Sequence, residues 1–188
     1  TVLAKLKLSN DVETAAKDAD YVIEAVPEKI ELKRELFGKL DAVTKPHTIL
    51  ATNTSELSVT AIAGATKRPD KVIGMHWFNP PERMNLIEIV RAVQTSDETL
   101  NVTEDISKQC GKTTVVVKDS QGFVTTRALS SLLIEAMRML EEGVASAQDI
   151  DTAIKLGLNH PMGPLELADY VGLDTMLFIS DSMTEAMG

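Results

Sequence analysis

The sequence predicts an α/β fold, a mostly parallel sheet followed by a separate helical unit. Three observations predict it. Five short apolar runs rich in β-branched residues fall between positions 21 and 118. Helical stretches separate most of them, the alternation that places strands side by side in one largely parallel sheet. After DSQG (119–122) no strand pattern returns, which sets the boundary between a first domain, 1–118, and a helical second domain, 119–188.

Each element has a local reason. Asn10 or Asp11 caps a short helix running to Lys17, because a side-chain oxygen there accepts an orphan backbone N–H. YVIEAV (21–26) is the first strand, stopped by Pro27. The next helix sets Ile30, Phe37, Leu40 and Val43 on one face and ends before Pro46. TILAT (48–52) is the second strand, followed by NTS and a short Ala-rich helix near 58–65. KVIGMHWF (71–78) is the third strand, NPPERM a hard stop, and NLIEIV (85–90) the fourth. Asp97 opens a helix to Cys110, and TTVVVK (113–118) is the fifth strand. In the second domain Leu129, Leu132, Leu133, Ala136, Met137 and Leu140 form one apolar helical stripe. Gly143 ends that helix, Ser146 or Ala147 starts another, and HPMGP (160–164) precedes two more.

Composition narrows the function. A net charge of −9 argues against nucleic acid as the main partner, because neutralising phosphates needs clustered Lys and Arg. The single cysteine, Cys110, cannot form an internal disulfide and suits a reducing, cytoplasmic setting. No apolar run approaches the roughly 20 residues of a membrane span. None of the ten glycines has the spacing of GxGxxG or of a phosphate-binding P-loop. Three histidines and one cysteine without HExxH give no metal constellation. The opening TVLAKLKLSN lacks Met and the closing EAMG falls in an apparently helical stretch, so a fragment cut at both ends is expected.

In open α/β sheets, ligands bind beyond the carboxyl ends of the strands. Three such ends here are unusually polar: Glu24 and Glu28, then Asn53, Thr54 and Ser55, then His76 and Asn79. The densest segment is HWFNPPERMNLIEIV (76–90). NPP makes a turn tight enough to bring the third and fourth strands side by side, which could set the Glu88 carboxylate against the His76 imidazole. A carboxylate so placed fixes the ring tautomer and stabilises the imidazolium formed when the other nitrogen takes a proton, the physics of a general base. The spacing alone also fits a core histidine and a solvent-facing glutamate.

Five segments carry a resemblance: ADYVIEAVPEKIELKRELF (19–37), ILATNTSELSV (49–59), GMHWFNPPERMNLIEIV (74–90), KDSQGFVTTR (118–127) and DIDTAIKLGLNHPMGPLELADYVGLDT (149–175). In order and over nearly the whole chain, they resemble the L-3-hydroxyacyl-CoA dehydrogenases of fatty-acid metabolism and β-oxidation. The resemblance implies a partial Rossmann-like domain over 1–118 and a C-terminal domain that closes over an acyl-CoA and supplies a homodimer interface. It further implies an NAD-dependent oxidoreductase interconverting (S)-3-hydroxyacyl-CoA and 3-oxoacyl-CoA, with His76 and Glu88 at the positions of the family's acid–base pair. Ser55 and Asn79 match residues that bind substrate near the nicotinamide and orient the cofactor, and Asn53 matches a further position of the cofactor site. Glu28 and Lys33 match contacts to the nicotinamide-side ribose. On bare sequence Lys33 is more often just a solvated helix charge, and Glu28 a first-turn residue favoured by the helix dipole. His160 reads as a packing or turn residue.

Two features depart from the family pattern. The glycine-rich turn that cradles the pyrophosphate is absent, so cofactor affinity of the polypeptide alone should be very poor. Thr126 stands where the family has Asn before Arg, which replaces an amide by a shorter hydroxyl. A catalytically inert fragment or dimerisation module derived from the family is therefore the competing expectation.

Overall fold

The structure, a computed structural model, describes residues 2–187, with side chains from Ala4 to Glu185. The chain divides into two compact units, Thr1–Ser120 and Gln121–Gly188. The first closes two residues beyond the boundary read from the sequence because the Asp119 carboxylate is built into it, as described below.

Unit one contains β1 (Tyr21–Glu24), β2 (Ile49–Thr52), β3 (Val72–Trp77), β4 (Leu86–Arg91) and β5 (Thr113–Lys118). Its helices are α1 (Val12–Ala16), α2 (Ile30–Val43), α3 (Val59–Ala63) and α4 (Asp97–Gln109). Asp11 caps α1, accepting the Thr14 N–H at 3.0 Å. β1 ends two residues before the apolar run does, because Glu24 Oε1 accepts the Val26 N–H at 2.6 Å and turns the chain.

The strands lie in chain order, β1-β2-β3-β4-β5. β1, β2 and β3 are parallel, β4 runs against β3, and β5 runs with β4. Helical crossovers allow the parallel links, whereas the short loop after Trp77 can join only antiparallel neighbours. On one sheet face Ile49, Ala51, Ile73, Met75, Ile87 and Ile89 form the core, packed by Leu100 and Ile106 of α4. On the other, Gly74 lets α3 approach: a Cβ there would lie 2.6 Å from Val90 Cβ and 3.0 Å from Val59 Cγ2. His76 is two residues further along β3, so it points to this same face.

The described secondary structure of unit two is four helices: α5 (Thr125–Glu141), α6 (Ala147–Gly157), α7 (Pro164–Val171) and α8 (Leu173–Met187). Leu133, Ala168 and Met176 are its core, with Leu129, Met137 and Leu167 against them. Leu140, at the end of the α5 stripe, is exposed. Asp151 caps α7 through the Leu165 and Glu166 N–H groups at 2.8 and 3.0 Å.

Candidate active site

Antiparallel pairing of β3 with β4 sets His76 directly opposite Glu88. Directly opposed residues project to the same face of a sheet, so the backbone register alone makes the side chains meet. His76 Nδ1 lies 2.8 Å from Glu88 Oε2, and both side chains are buried. An ionised carboxylate only accepts, so Nδ1 carries the hydrogen and the neutral ring keeps its lone pair on Nε2. The Phe78 ring lies against the imidazole, centroids 4.5 Å apart. Of the two readings the spacing admits, the paired one is what the fold builds.

The loop after β2 carries the next group. The Asn53 N–H donates to the Glu24 carbonyl at 2.8 Å, and Asn53 Oδ1 accepts the Trp77 N–H at 2.8 Å, tying the loop to β1 and β3. Glu28 Oε1 accepts the Thr54 hydroxyl, the Ser55 N–H at 2.8 Å and the Glu56 N–H at 3.4 Å. Asp119 holds the loop's far end, accepting the Ser58 hydroxyl (2.9 Å) and the Val59 and Thr60 N–H groups (3.0 and 2.7 Å) that open α3. Ser55, half-buried, thus sits between two carboxylate anchors.

Lys33 is not a solvated helix charge: its side chain is 1% exposed, with the ammonium 2.7 Å from Glu24 Oε1 and 3.2 Å from Glu28 Oε2. Glu28 precedes α2 rather than opening it, since Lys29 is the N-cap. Asn79 is exposed in the 78–85 loop. That loop is held by Lys112, whose ammonium donates to the Pro81 and Met84 carbonyls at 2.5 and 2.8 Å and lies 5.7 Å from the Trp77 ring centre. Thr126 is half-buried in the first turn of α5, and His160 is exposed ahead of α7.

Sequence reasoning missed Glu56. It is 1% exposed, and its carboxylate oxygens have no hydrogen-bond partner among the described residues. Burial, with repulsion from Glu28, pushes its carboxyl up to about 7. It follows Ser55 in a run of polar residues, and nothing local distinguishes a buried acid there from a solvated one. Asp119 and the Glu24–Lys33 contact were missed for a related reason, since only the fold brings these partners together. Among the described residues, no three His, Cys, Asp or Glu side chains stand together as a metal site would require.

Fold and site together define an α/β domain with a buried imidazole–carboxylate pair near its strand ends, followed by a helical domain. The family model for the 3-hydroxyacyl-CoA dehydrogenase NAD binding domain matches residues 1–120, and that for the C-terminal domain of the same enzymes matches 122–188. The chain belongs to the 3-hydroxyacyl-CoA dehydrogenase family. It is 46% identical over 188 residues to a probable 3-hydroxybutyryl-CoA dehydrogenase of Bacillus subtilis, covering 100% of this chain and 65% of the relative. It is 48% identical over 183 residues to the mitochondrial hydroxyacyl-coenzyme A dehydrogenase of Sus scrofa, covering 97% and 58%. A crystal structure of (S)-3-hydroxybutyryl-CoA dehydrogenase from Ralstonia eutropha superimposes with a TM-score of 0.93 at 44% identity, over 98% of this chain and 65% of that one. The chain therefore spans 58–65% of the length of these relatives.

Proposed function

We propose that this chain carries the acid–base site of an NAD-dependent dehydrogenase that interconverts (S)-3-hydroxyacyl-CoA and 3-oxoacyl-CoA. The observation that carries the proposal is the buried 2.8 Å contact between His76 Nδ1 and Glu88 Oε2. With Nδ1–H held by a carboxylate, Nε2 takes the proton of the 3-hydroxyl group, and Glu88 stabilises the imidazolium that results. In the reverse direction the imidazolium returns that proton to the 3-oxo oxygen. Bound NAD supplies the acceptor for the hydride that leaves C3. Ser55 donates to the substrate oxygen from its anchored loop. A positioned base of this kind contributes on the order of 10²–10⁴-fold to rate.

The donor set at the strand ends suits the sugar and nicotinamide end of such a cofactor. Glu28, its side chain 28% exposed, offers a carboxylate to ribose hydroxyls, and Asn53 and Asn79 lie in the loops that follow β2 and β3. Lys33 stands behind Glu28. The 188 residues hold no GxGxxG to cradle a pyrophosphate, so tight cofactor binding is not expected of this polypeptide by itself.

Unit two is proposed to cover the acyl-CoA and to form a homodimer. In support, it exposes the large apolar side chains of Leu156, Leu158, Tyr170, Leu173 and Leu177, each 58–80% accessible. A cytoplasmic site of action is part of the proposal, in keeping with a single cysteine, Cys110, that cannot form an internal disulfide. Among the described residues no helix is long and apolar enough to cross a membrane.

The test is a chimera that joins this chain to the parts of the Bacillus subtilis relative outside the matched stretch. It is assayed with NADH against acetoacetyl-CoA and longer 3-oxoacyl-CoA substrates. Turnover that falls on the order of 10²–10⁴-fold in His76→Gln is the expected result. Silence with every substrate overturns the catalytic reading and leaves a binding or dimerisation module.

A further inference from the structure

We propose that Lys112 is a positioning residue that pins the 78–85 loop to the start of β5 and so keeps Phe78 against the His76 imidazole. The effect on catalysis rests on the function proposed above. The pinning of the loop stands without it.

The loop leaves β3 one residue after His76, and its residues 79–85 are exposed. Pro80 and Pro81 have no N–H to donate. The backbone bonds within the loop run from the Arg83 and Met84 N–H groups to the Pro80 carbonyl, at 3.0 and 3.1 Å. Further ties come from the segment that enters β5. The Thr113 N–H donates to the Asn85 carbonyl at 2.7 Å. The residue before it, Lys112, reaches further back into the loop, donating to the Met84 carbonyl at 2.8 Å and to the Pro81 carbonyl at 2.5 Å. The same ammonium lies 5.7 Å from the centre of the Trp77 ring, within cation–π range. One side chain therefore touches the residue that leads into the loop and two carbonyls of the loop itself.

A half-buried lysine is ordinarily a solvated charge, and the convergence of these partners sets Lys112 apart. An ammonium carries three hydrogens on a flexible stem, so it can serve carbonyls that approach from different directions. Phe78 lies between Trp77 and the pinned carbonyls, and its ring stands 4.5 Å from that of His76, tilted by 46°. Glu88 sets the Nδ1 side of the imidazole and Phe78 packs beside it. Nε2 keeps one direction as long as Phe78 keeps its place. Releasing the loop at Pro81 and Met84 lets Phe78 shift, and the base then meets the substrate proton less often.

The molecule carries its own reporter, since Trp77 is the single tryptophan of the chain. The test uses the ligand-free 188-residue chain and Lys112→Met, which keeps an apolar stem and removes the ammonium. Acrylamide quenching of Trp77 fluorescence should rise at least twofold. Amide exchange at Arg83 and Met84 should quicken at least threefold, with Ile73 and Ile89 of the core strands changed less than twofold. Lys112→Arg, which keeps the charge and the donors, should stay near the parent in both. Should Lys112→Met fail to fold, Lys112→Gln takes its place, with the same pattern expected. Unchanged quenching, unchanged exchange at 83–84, or acceleration spread through the core strands overturns the proposal. In the chimera described above, Lys112→Met lowers kcat at least fivefold and Lys112→Arg retains at least half of it. In a Phe78→Ala background Lys112→Met costs less than twofold more, because both changes act through one ring. Fully additive losses, or equal losses in the Met and Arg variants, overturn the catalytic half. Absent turnover in the parent chimera sinks the proposed function, while fluorescence and exchange still decide the pinning.

Discussion

Replacing Glu56 by Gln should make the stability of this protein less sensitive to pH, and the structure sets the size of the change. The Glu56 carboxyl is raised from 4.5 to about 7, first by burial and then by the nearby Glu28 carboxylate. A group whose folded pKa lies above its unfolded one holds its proton more firmly in the native state. Stability is therefore lost as pH rises from the unfolded pKa to the folded one, and the loss is complete above about 7. Integrated between about pH 5 and pH 8, the native state loses on the order of 2–3 kcal/mol through this one residue. Gln has nearly the same shape and cannot ionise, so that loss disappears. The assay is urea unfolding of both proteins at the two pH values and equal ionic strength. The variant should gain roughly 2–3 kcal/mol on the wild type between the acidic and the alkaline condition, whatever constant offset the amide introduces. Parallel pH dependences, within about 0.5 kcal/mol, would refute the reasoning and mean that Glu56 is solvated or paired.

Three further outcomes are expected. Asp119→Ala removes the acceptor of three hydrogen bonds at the start of α3 and should cost about 1–2 kcal/mol in denaturant unfolding, with Asp119→Asn recovering part of it. Gly74→Ala places a Cβ 2.6 Å from Val90 Cβ of β4 and 3.0 Å from Val59 Cγ2 of α3, and should lower stability by about 1–3 kcal/mol, read as a drop in Tm. In the chimera, Glu88→Gln should reduce turnover visibly but by less than His76→Gln, since the carboxylate orients and charges the ring without itself exchanging a proton with substrate.

What could be read from the sequence is what local chemistry determines. β2 announces itself because it is buried on both faces and so reads as an unbroken apolar run. The antiparallel return of β4 beside β3 was legible because a short Pro-rich loop joins them, whereas the register that sets His76 opposite Glu88 belongs to the fold. β5 misleads in one respect. Its Val115 and Val116 look like core residues but are 40% and 47% exposed, because this strand ends the sheet order. The side-chain anchors were not legible. Lys33 looks like any helix lysine until β1 brings Glu24 beneath it, and Asp119 caps a helix that begins 60 positions earlier. Contacts of that span leave no trace in periodicity, since they depend on which strand ends the topology places together.

The nitrogen-15 NMR spectrum of the His76 imidazole tests the central claim most directly. If Glu88 holds the ring ready to take a proton at Nε2, the neutral form shows Nδ1 protonated and Nε2 bare, and Glu88→Gln mixes the two tautomers. A ring protonated at Nε2 in the unsubstituted protein, unaffected by that change, would contradict it.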